Sequence, residues 1–318
     1  MITEKMAASI GVKVEYIVKL SNGASHRYKM YTVRKKNGGT RTIFHPARRL
    51  KSVQSWILQN VLVTLPVHKA AMAYRPGVSI FDNAATHASG RFLLRLDLAD
   101  FFPSIVASDF ARYIEKNAAH FDGWTDTDIR CVSGLLFRNG RLTIGAPSSP
   151  ALSNALCLGI DVAIDDMCRI KKIRYSRYAD DLFFSSDTPN VLKDVSAEVE
   201  SILRTISIPA NLQLNTSKTV HSSKKKNRQV TGITLGSDGR PHVPRSYKRQ
   251  IRSMIHRFAT LEEADRMSLA GMISYVVGHE PEFTNSLIKK YGFDVFKTVT
   301  TLKSLEERQA IHRKHKQS

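Results

Sequence analysis

The stretch Tyr178-Ala179-Asp180-Asp181 constrains this chain more than any other. β-Formers flank it, with Ile173-Arg174-Tyr175-Ser176-Arg177 before and Leu182-Phe183-Phe184 after. It therefore reads as the turn of a tight hairpin with two acids at its tip. Adjacent carboxylates repel each other unless a cation sits between them. Hard cations such as Mg²⁺ prefer carboxylate oxygens and keep several waters that substrate phosphates can replace. Such a pair is either a solvated turn or a metal site that handles phosphate, and an acidic strand upstream favours the second.

That strand lies within residues 91–105, where the apolar run Phe92-Leu93-Leu94-Arg95-Leu96 carries Asp97 at its end. A carboxylate there is unfavourable in a core without a partner. The chain between Asp97 and Asp180 is long enough to return a strand alongside. One acid from a strand end and two from a neighbouring hairpin can hold two metals about 3.5–4 Å apart, the geometry of in-line phosphoryl or nucleotidyl transfer. Asp97, Asp180 and Asp181 are the candidate catalytic and metal-binding residues.

The charge balance points to the substrate. Among 318 residues, 48 Lys and Arg face 28 Asp and Glu, a net +20 that calls for a polyanionic partner, nucleic acid by default. No run of apolar residues is long enough for a membrane span, and residues 1–20 lack a signal-peptide pattern. Cys131, Cys157 and Cys168 are odd in number and form no C-x-x-C pair, which argues against a disulfide framework or a zinc site. The expected location is the cytoplasm, with no membrane partner.

Asp97-Leu98-x-x-Phe101-Phe102, then Gly145-Ala146-Pro147-Ser148-Ser149-Pro150, then Tyr178-Ala179-Asp180-Asp181 resemble, in order and spacing, the palm motifs of a reverse transcriptase. Two further marks, Asn83-Ala84-Ala85-Thr86-His87 before the first acidic strand and Val230-Thr231-Gly232 after the palm, resemble signatures of the retron branch of that family. The resemblance covers roughly residues 30–295. It implies an α+β right-hand polymerase: fingers at 1–93, palm at 94–105, a fingers/palm insertion at 106–143, palm at 144–236, and a helical thumb with a basic tail at 237–318.

The resemblance also distributes roles. Mg²⁺ (two ions, with Mn²⁺ as a substitute) would be held by Asp97, Asp180, Asp181 and the Leu98 backbone carbonyl. The basic hairpin, Arg41 with Lys35 or Lys36 as helper, would meet the triphosphate of an incoming dNTP, together with Ala99, Gly145, Ala146, Pro147 and Lys218, the last as general acid toward pyrophosphate. Phe102 would pack beneath the sugar and leave no room for a 2′-hydroxyl, favouring DNA synthesis. Ile144 stands where the family usually has glutamine. Asn83, His87, Val230, Thr231 and Gly232, with Lys248, Arg249, Arg252 and Arg257 of a basic helix, would bind template and primer RNA. Lys248, Arg252 and His256 fall on one helix face suited to the phosphates of an A-form duplex.

Local patterns predict the rest. A basic-tipped hairpin spans 28–33 and 40–44. Helices are expected at 46–65, from Ser108 or Asp109 to 117, at 125–137 behind a Thr125 cap, at 150–170 and at 191–206. Asn139-Gly140 is a tight turn. Asn83 reads as a helix cap. Asp161, Asp165 and Asp166 read as surface acids paired with Arg169, Lys171, Lys172 or Arg174, in preference to a second metal site on the i, i+4 acidic pair. Gly236-Ser237-Asp238-Gly239 reads as a linker.

On the retron resemblance, a dedicated structured non-coding RNA serves as template and primer. Synthesis begins at a 2′-hydroxyl, giving a branched RNA–DNA product (msDNA), and an effector protein cooperates in antiphage defence. The chain leaves no room for its own RNase H domain after the thumb, so host RNase H is the expected partner. Two other readings stay open: another bacterial reverse transcriptase (intron-like, diversity-generating or abortive-infection type), and a non-catalytic RNA-binding scaffold with a polymerase fold.

Overall fold

The N-terminal hairpin pairs β1 (Tyr28–Arg34) with β2 (Thr40–Pro46) antiparallel, in register from Tyr28↔Pro46 to Arg34↔Thr40. The computed structural model describes residues 1–34 and 38–301, so Lys35 and Lys36 lie outside the described residues. The chain divides into two compact units, Met1–Arg228 and Gln229–Ser318.

In the first unit an antiparallel sheet of order β4-β5-β3-β6 is built from β3 (Phe92–Asp97), β4 (Arg174–Tyr178), β5 (Asp181–Ser186) and β6 (Val220–Ser223). Leu94, Leu96, Leu182 and Phe184 are fully buried in one continuous core, which also takes Leu152, Ile160 and Ile164 from the helices over the sheet. The helices Ile2–Ile10, Val14–Asn22, Arg48–Asn60 and Asp126–Leu136 pack together through Met6, Ile17, Leu50, Val53, Ile57 and Leu135.

Caps explain several boundaries. Thr125 caps Asp126–Leu136 in a capping box with Asp128, as its spacing predicts. Asp128 also accepts from the Thr3 amide and hydroxyl (3.0 and 2.5 Å), and these bonds hold its carboxyl below the usual range despite the opposing effect of burial. Asn139 and Gly140 both have positive φ (50° and 74°), as a two-residue hairpin loop requires.

Other boundaries differ from the expectation. The helix expected at 46–65 stops at Asn60 and continues as a 3₁₀ turn, Leu62–Thr64. The one expected at 150–170 is two helices, Ser149–Leu156 and Leu158–Ile170, meeting at Cys157. The one expected at 191–206 is shorter, Val195–Thr205. Asn83 is no cap: Ser79 caps Ile80–Ala88, accepting from the Asp82 amide, because Asp82 completes a capping box from the third helical position.

The second unit contains β8 (Ile233–Leu235) between β7 (Arg228–Val230) and β9 (Pro241–His242), then helices Arg245–His256, Glu263–Val277, Pro281–Tyr291 and Phe293–Thr300. Gly236–Gly239, expected as a linker, is instead the turn joining β8 to β9, closed by the Gly236 amide on the Arg240 carbonyl at 2.8 Å. Among the described residues, no helix is long and apolar enough to cross a membrane.

Candidate active site

Asp97 ends β3 and Asp181 begins β5, and the two are direct cross-strand partners. Tyr178 pairs with Asp181, which leaves Ala179 and Asp180 as a two-residue loop with Ala179 at φ 56°. A tight hairpin loop demands positive φ at its first position. Three backbone bonds of 2.8 Å clamp this end of the sheet: Leu98 amide to Asp180 carbonyl, Asn215 amide to Asp97 carbonyl, and Ala99 amide to Gln213 carbonyl.

Like charges directly opposite across strands destabilise a sheet. Two cations offset them here. The Lys218 ammonium donates to both carboxylate oxygens of Asp97, at 2.8 and 2.9 Å. Arg95 donates from Nε (2.9 Å) and places Nη2 2.8 Å from the same Asp181 oxygen. Burial, with the Asp97 charge adding to it, raises the Asp180 carboxyl above its ordinary range. Burial also pushes Asp181 up to about 6 against the pull of Arg95.

Among the described residues, no three His, Cys, Asp or Glu side chains form a ready-made metal cage. The acids nevertheless fit a hard divalent ion. They offer only carboxylate oxygen, they need positive charge that Lys218 and Arg95 supply, and an ion of the Mg²⁺ type takes one or two carboxylates and completes its shell with water and phosphate.

A cleft of about 540 Å³ opens beside Asp97 and Asp180. Arg41 from β2, Ala99, Phe102, Ile144 and Lys218 line it. Phe102 reaches it from a helical turn rather than from a strand. The chain turns at Asp100 (φ 42°) into a single helical turn, Phe101–Ser104; both phenylalanines border the cleft, Phe101 buried in the core and Phe102 only partly buried.

Gly145, Ala146 and Pro147 do not line that cleft. Gly145 has φ 114°, and a Cβ there would lie 2.7 Å from the Phe44 carbonyl oxygen. The Phe44 amide donates to the Ile144 carbonyl at 2.8 Å, so this glycine permits the close approach of β2. Ala146 is buried.

Arg177, which the sequence reading did not single out, is fully buried. Its Nε and Nη2 donate to the two Asp161 oxygens (2.8 and 2.6 Å), and Nη1 donates to Asn154 Oδ1 (3.1 Å) and the Ala179 carbonyl (3.4 Å). Burial opposes the charge, yet Asp161 holds the Arg177 pKa above its ordinary value. Asp161 is thus a core ion-pair partner rather than a surface acid; Asp165 lies near Lys69 and His68, and only Asp166 pairs with Arg169. The available signal was an arginine at a strand position three residues before Asp180.

Asn83 and His87 do not face a nucleic-acid surface, contrary to expectation: both have zero exposure. Ser176 donates to Asn83 Oδ1 (2.5 Å), so it accepts from His87 Nε2 (2.8 Å), leaving Nδ1 to accept from the Ser185 hydroxyl (2.8 Å). Burial, then the Arg174 charge, lowers the His87 pKa to about 3 and keeps the imidazole neutral. The motif therefore docks its helix on β4 through Ser176 and on β5 through Ser185, each four residues from the Asp180–Asp181 pair.

In the second unit Val230 is fully buried, while Thr231 (φ 49°) and Gly232 (φ 81°) form the β7–β8 turn. Of the basic helix, Lys248 pairs with Glu280 and lies over the Phe283 ring (5.3 Å), as does Arg252 (4.9 Å). The expected phosphate stripe is therefore partly spent on packing, since long basic stems cover apolar surface. Arg249, His256 and Arg257 remain exposed.

Residues 33–235 match the reverse transcriptase (RNA-dependent DNA polymerase) family. The retron Ec83 reverse transcriptase of Escherichia coli is 34% identical over 295 residues, covering 90% of this chain and 93% of the relative. The retron Ec86 enzyme of Escherichia coli is 30% identical over 297 residues (90% and 89%). The retron Mx65 enzyme of Myxococcus xanthus is 31% identical over 306 residues (90% and 70%). Telomerase from Candida albicans, solved with a fragment of telomeric RNA, superimposes with a TM-score of 0.50 at 11% identity over 87% of this chain and 66% of that one, a likeness of fold.

The family match and these relatives make the chain an RNA-directed DNA polymerase with the right-hand fold, from a family that generally uses divalent metal ions. The chain belongs to the reverse transcriptases, in their retron branch.

Proposed function

We propose that this enzyme copies a cognate structured non-coding RNA into DNA, starting from a 2′-hydroxyl of that RNA to give branched msDNA. The single observation that carries the polymerase chemistry is the meeting of Asp97 with the Asp180–Asp181 turn at the edge of a cleft walled by Arg41 and Phe102. Two Mg²⁺ ions, for which Mn²⁺ can substitute, would be held by Asp97, Asp180, Asp181 and the Leu98 carbonyl. When bound, such ions activate the attacking hydroxyl and neutralise the triphosphate and its leaving oxygen.

The chain's own groups do the rest. Arg41, with Lys35, grips the triphosphate, for which a planar guanidinium is suited. Ala99 offers backbone beside it. Phe102 fills the space a 2′-hydroxyl would need. Lys218, displaced from Asp97, delivers a proton to the departing pyrophosphate. Thr231, Gly232, Arg249 and Arg257 contact RNA, with Lys248 and Arg252 ordering that surface. The resemblance to retron enzymes supports a further setting: an effector protein and host RNase H as partners, in antiphage defence in the cytoplasm.

Purification from the native locus, followed by analysis of the co-purifying nucleic acid, tests this reading. The expected product is a short DNA whose 5′ end is released only by a debranching enzyme. Heterogeneous RNA alone, with dNTP incorporation on any primed template, would leave a general reverse transcriptase. No synthesis in either setting would leave an RNA-binding scaffold.

A further inference from the structure

Tyr74 belongs to no motif used above, yet it stands on the wall of the cleft with Phe102, Arg41 and Asp180. Its ring lies 6.4 Å from that of Phe102, centroid to centroid, tilted by 49°. Its backbone is left-handed (φ 61°), a conformation rare for a bulky side chain and one that persists only where surroundings enforce it.

The enforcement is visible on both sides. The Met72 amide donates to the Arg177 carbonyl (2.8 Å), and the Arg177 amide donates to the Ala70 carbonyl (2.7 Å). Asn154 Nδ2 donates to the Ala73 carbonyl (2.8 Å) while its Oδ1 accepts from buried Arg177. Arg75 folds back onto the Lys69 and Ala71 carbonyls (3.1 and 3.3 Å). The loop carrying Tyr74 is thereby fastened to the strand that carries the catalytic turn. Half of the Tyr74 ring remains open, and the side that packs meets Phe102.

We propose that Tyr74 is a specificity-determining residue for the sugar of the incoming nucleotide: its ring braces Phe102, so that Phe102 cannot rotate away to admit a 2′-hydroxyl. The inference rests on the reading of Phe102 as the sugar contact. A lone half-buried phenylalanine can change rotamer; one held between the edge-on Phe101 ring (5.2 Å) and the tilted Tyr74 ring on a fastened loop loses that freedom.

The test is the ratio of kcat/KM for dNTP over the matching rNTP in primer extension by the full chain. The variants are F102A, Y74N, Y74F and the Y74N/F102A pair. Asparagine suits a left-handed backbone, so Y74N removes the ring without adding strain; Y74G serves the same purpose should Y74N fail to fold. F102A should relax discrimination. Y74N should relax it by roughly 2- to 10-fold, the worth of one aromatic pair, and Y74F should keep it. The double variant should discriminate no worse than F102A, since the brace has nothing left to hold. If F102A relaxes discrimination and Y74N and Y74G do not, the brace is wrong and the Phe102 reading stands. Additive effects in the double variant would also overturn the brace. Unchanged discrimination in F102A would remove both.

Discussion

Lys218 and Asp97 lie 121 residues apart in the chain, yet the Lys218 ammonium sits 2.8 and 2.9 Å from the two Asp97 carboxylate oxygens. A residue expected to act on the triphosphate thus neutralises one of the proposed catalytic acids. The two roles are compatible if a bound cation takes over Asp97 and releases the lysine toward the leaving group.

Lys218→Ala should therefore slow single-turnover dNTP incorporation by about 10²-fold, the usual worth of a general acid. It should also tighten divalent-ion binding, because a competitor for Asp97 is gone. Single-turnover rates across a metal titration check both. An unchanged rate would remove the general-acid role.

Asp180→Asn should abolish metal-dependent incorporation while leaving the fold intact. Burial and the Asp97 charge both disfavour the ionised Asp180, so a neutral side chain should leave the melting temperature unchanged or raise it. Loss of activity together with a lower melting temperature would contradict this separation of chemistry from stability.

Arg177→Met leaves Asp161 charged, buried and without its guanidinium, a loss of about 3–5 kcal/mol. Adding Asp161→Leu should recover most of it, because an apolar pair replaces an ion pair at little cost. Urea unfolding of the two variants decides, and equal destabilisation of both would refute the account.

His87 should make stability depend on acid. Its folded pKa of about 3 lies below the ordinary value of 6.5, so the unfolded chain binds the extra proton first. The stabilisation is complete above about pH 6.5 and declines as pH falls toward about 3, by several kcal/mol in all. His87→Gln should flatten that slope in unfolding curves between pH 4 and 7; an unchanged slope would assign the acid sensitivity to other groups.

Gly145→Ala should strain the first unit at a point away from the acids, since the added carbon meets the Phe44 carbonyl at 2.7 Å. The expected result is a loss of about 1–3 kcal/mol and a raised KM for dNTP through displacement of β2, with the acids untouched. A KM equal to wild type would show that β2 does not set nucleotide binding.

The meeting of three acids was readable from the residues alone. The Asp97 strand and the Asp180–Asp181 turn were legible because charge at the edge of an apolar strand is unfavourable without a partner. Hairpins and the Thr125 cap were legible because turn and cap residues act within a few positions. Only the tertiary structure decided which long-range partner each polar group takes. A one-dimensional pattern shows Asp161 on a helix face beside nearby basic residues, but the choice of buried Arg177 depends on how that helix packs against β4. The same holds for the Asn-Ala-x-x-His motif, which reads as a ligand-facing signature and folds as a buried clasp on Ser176 and Ser185. Burial excludes water, and whichever partners packing brings within reach must then satisfy the groups that lost it.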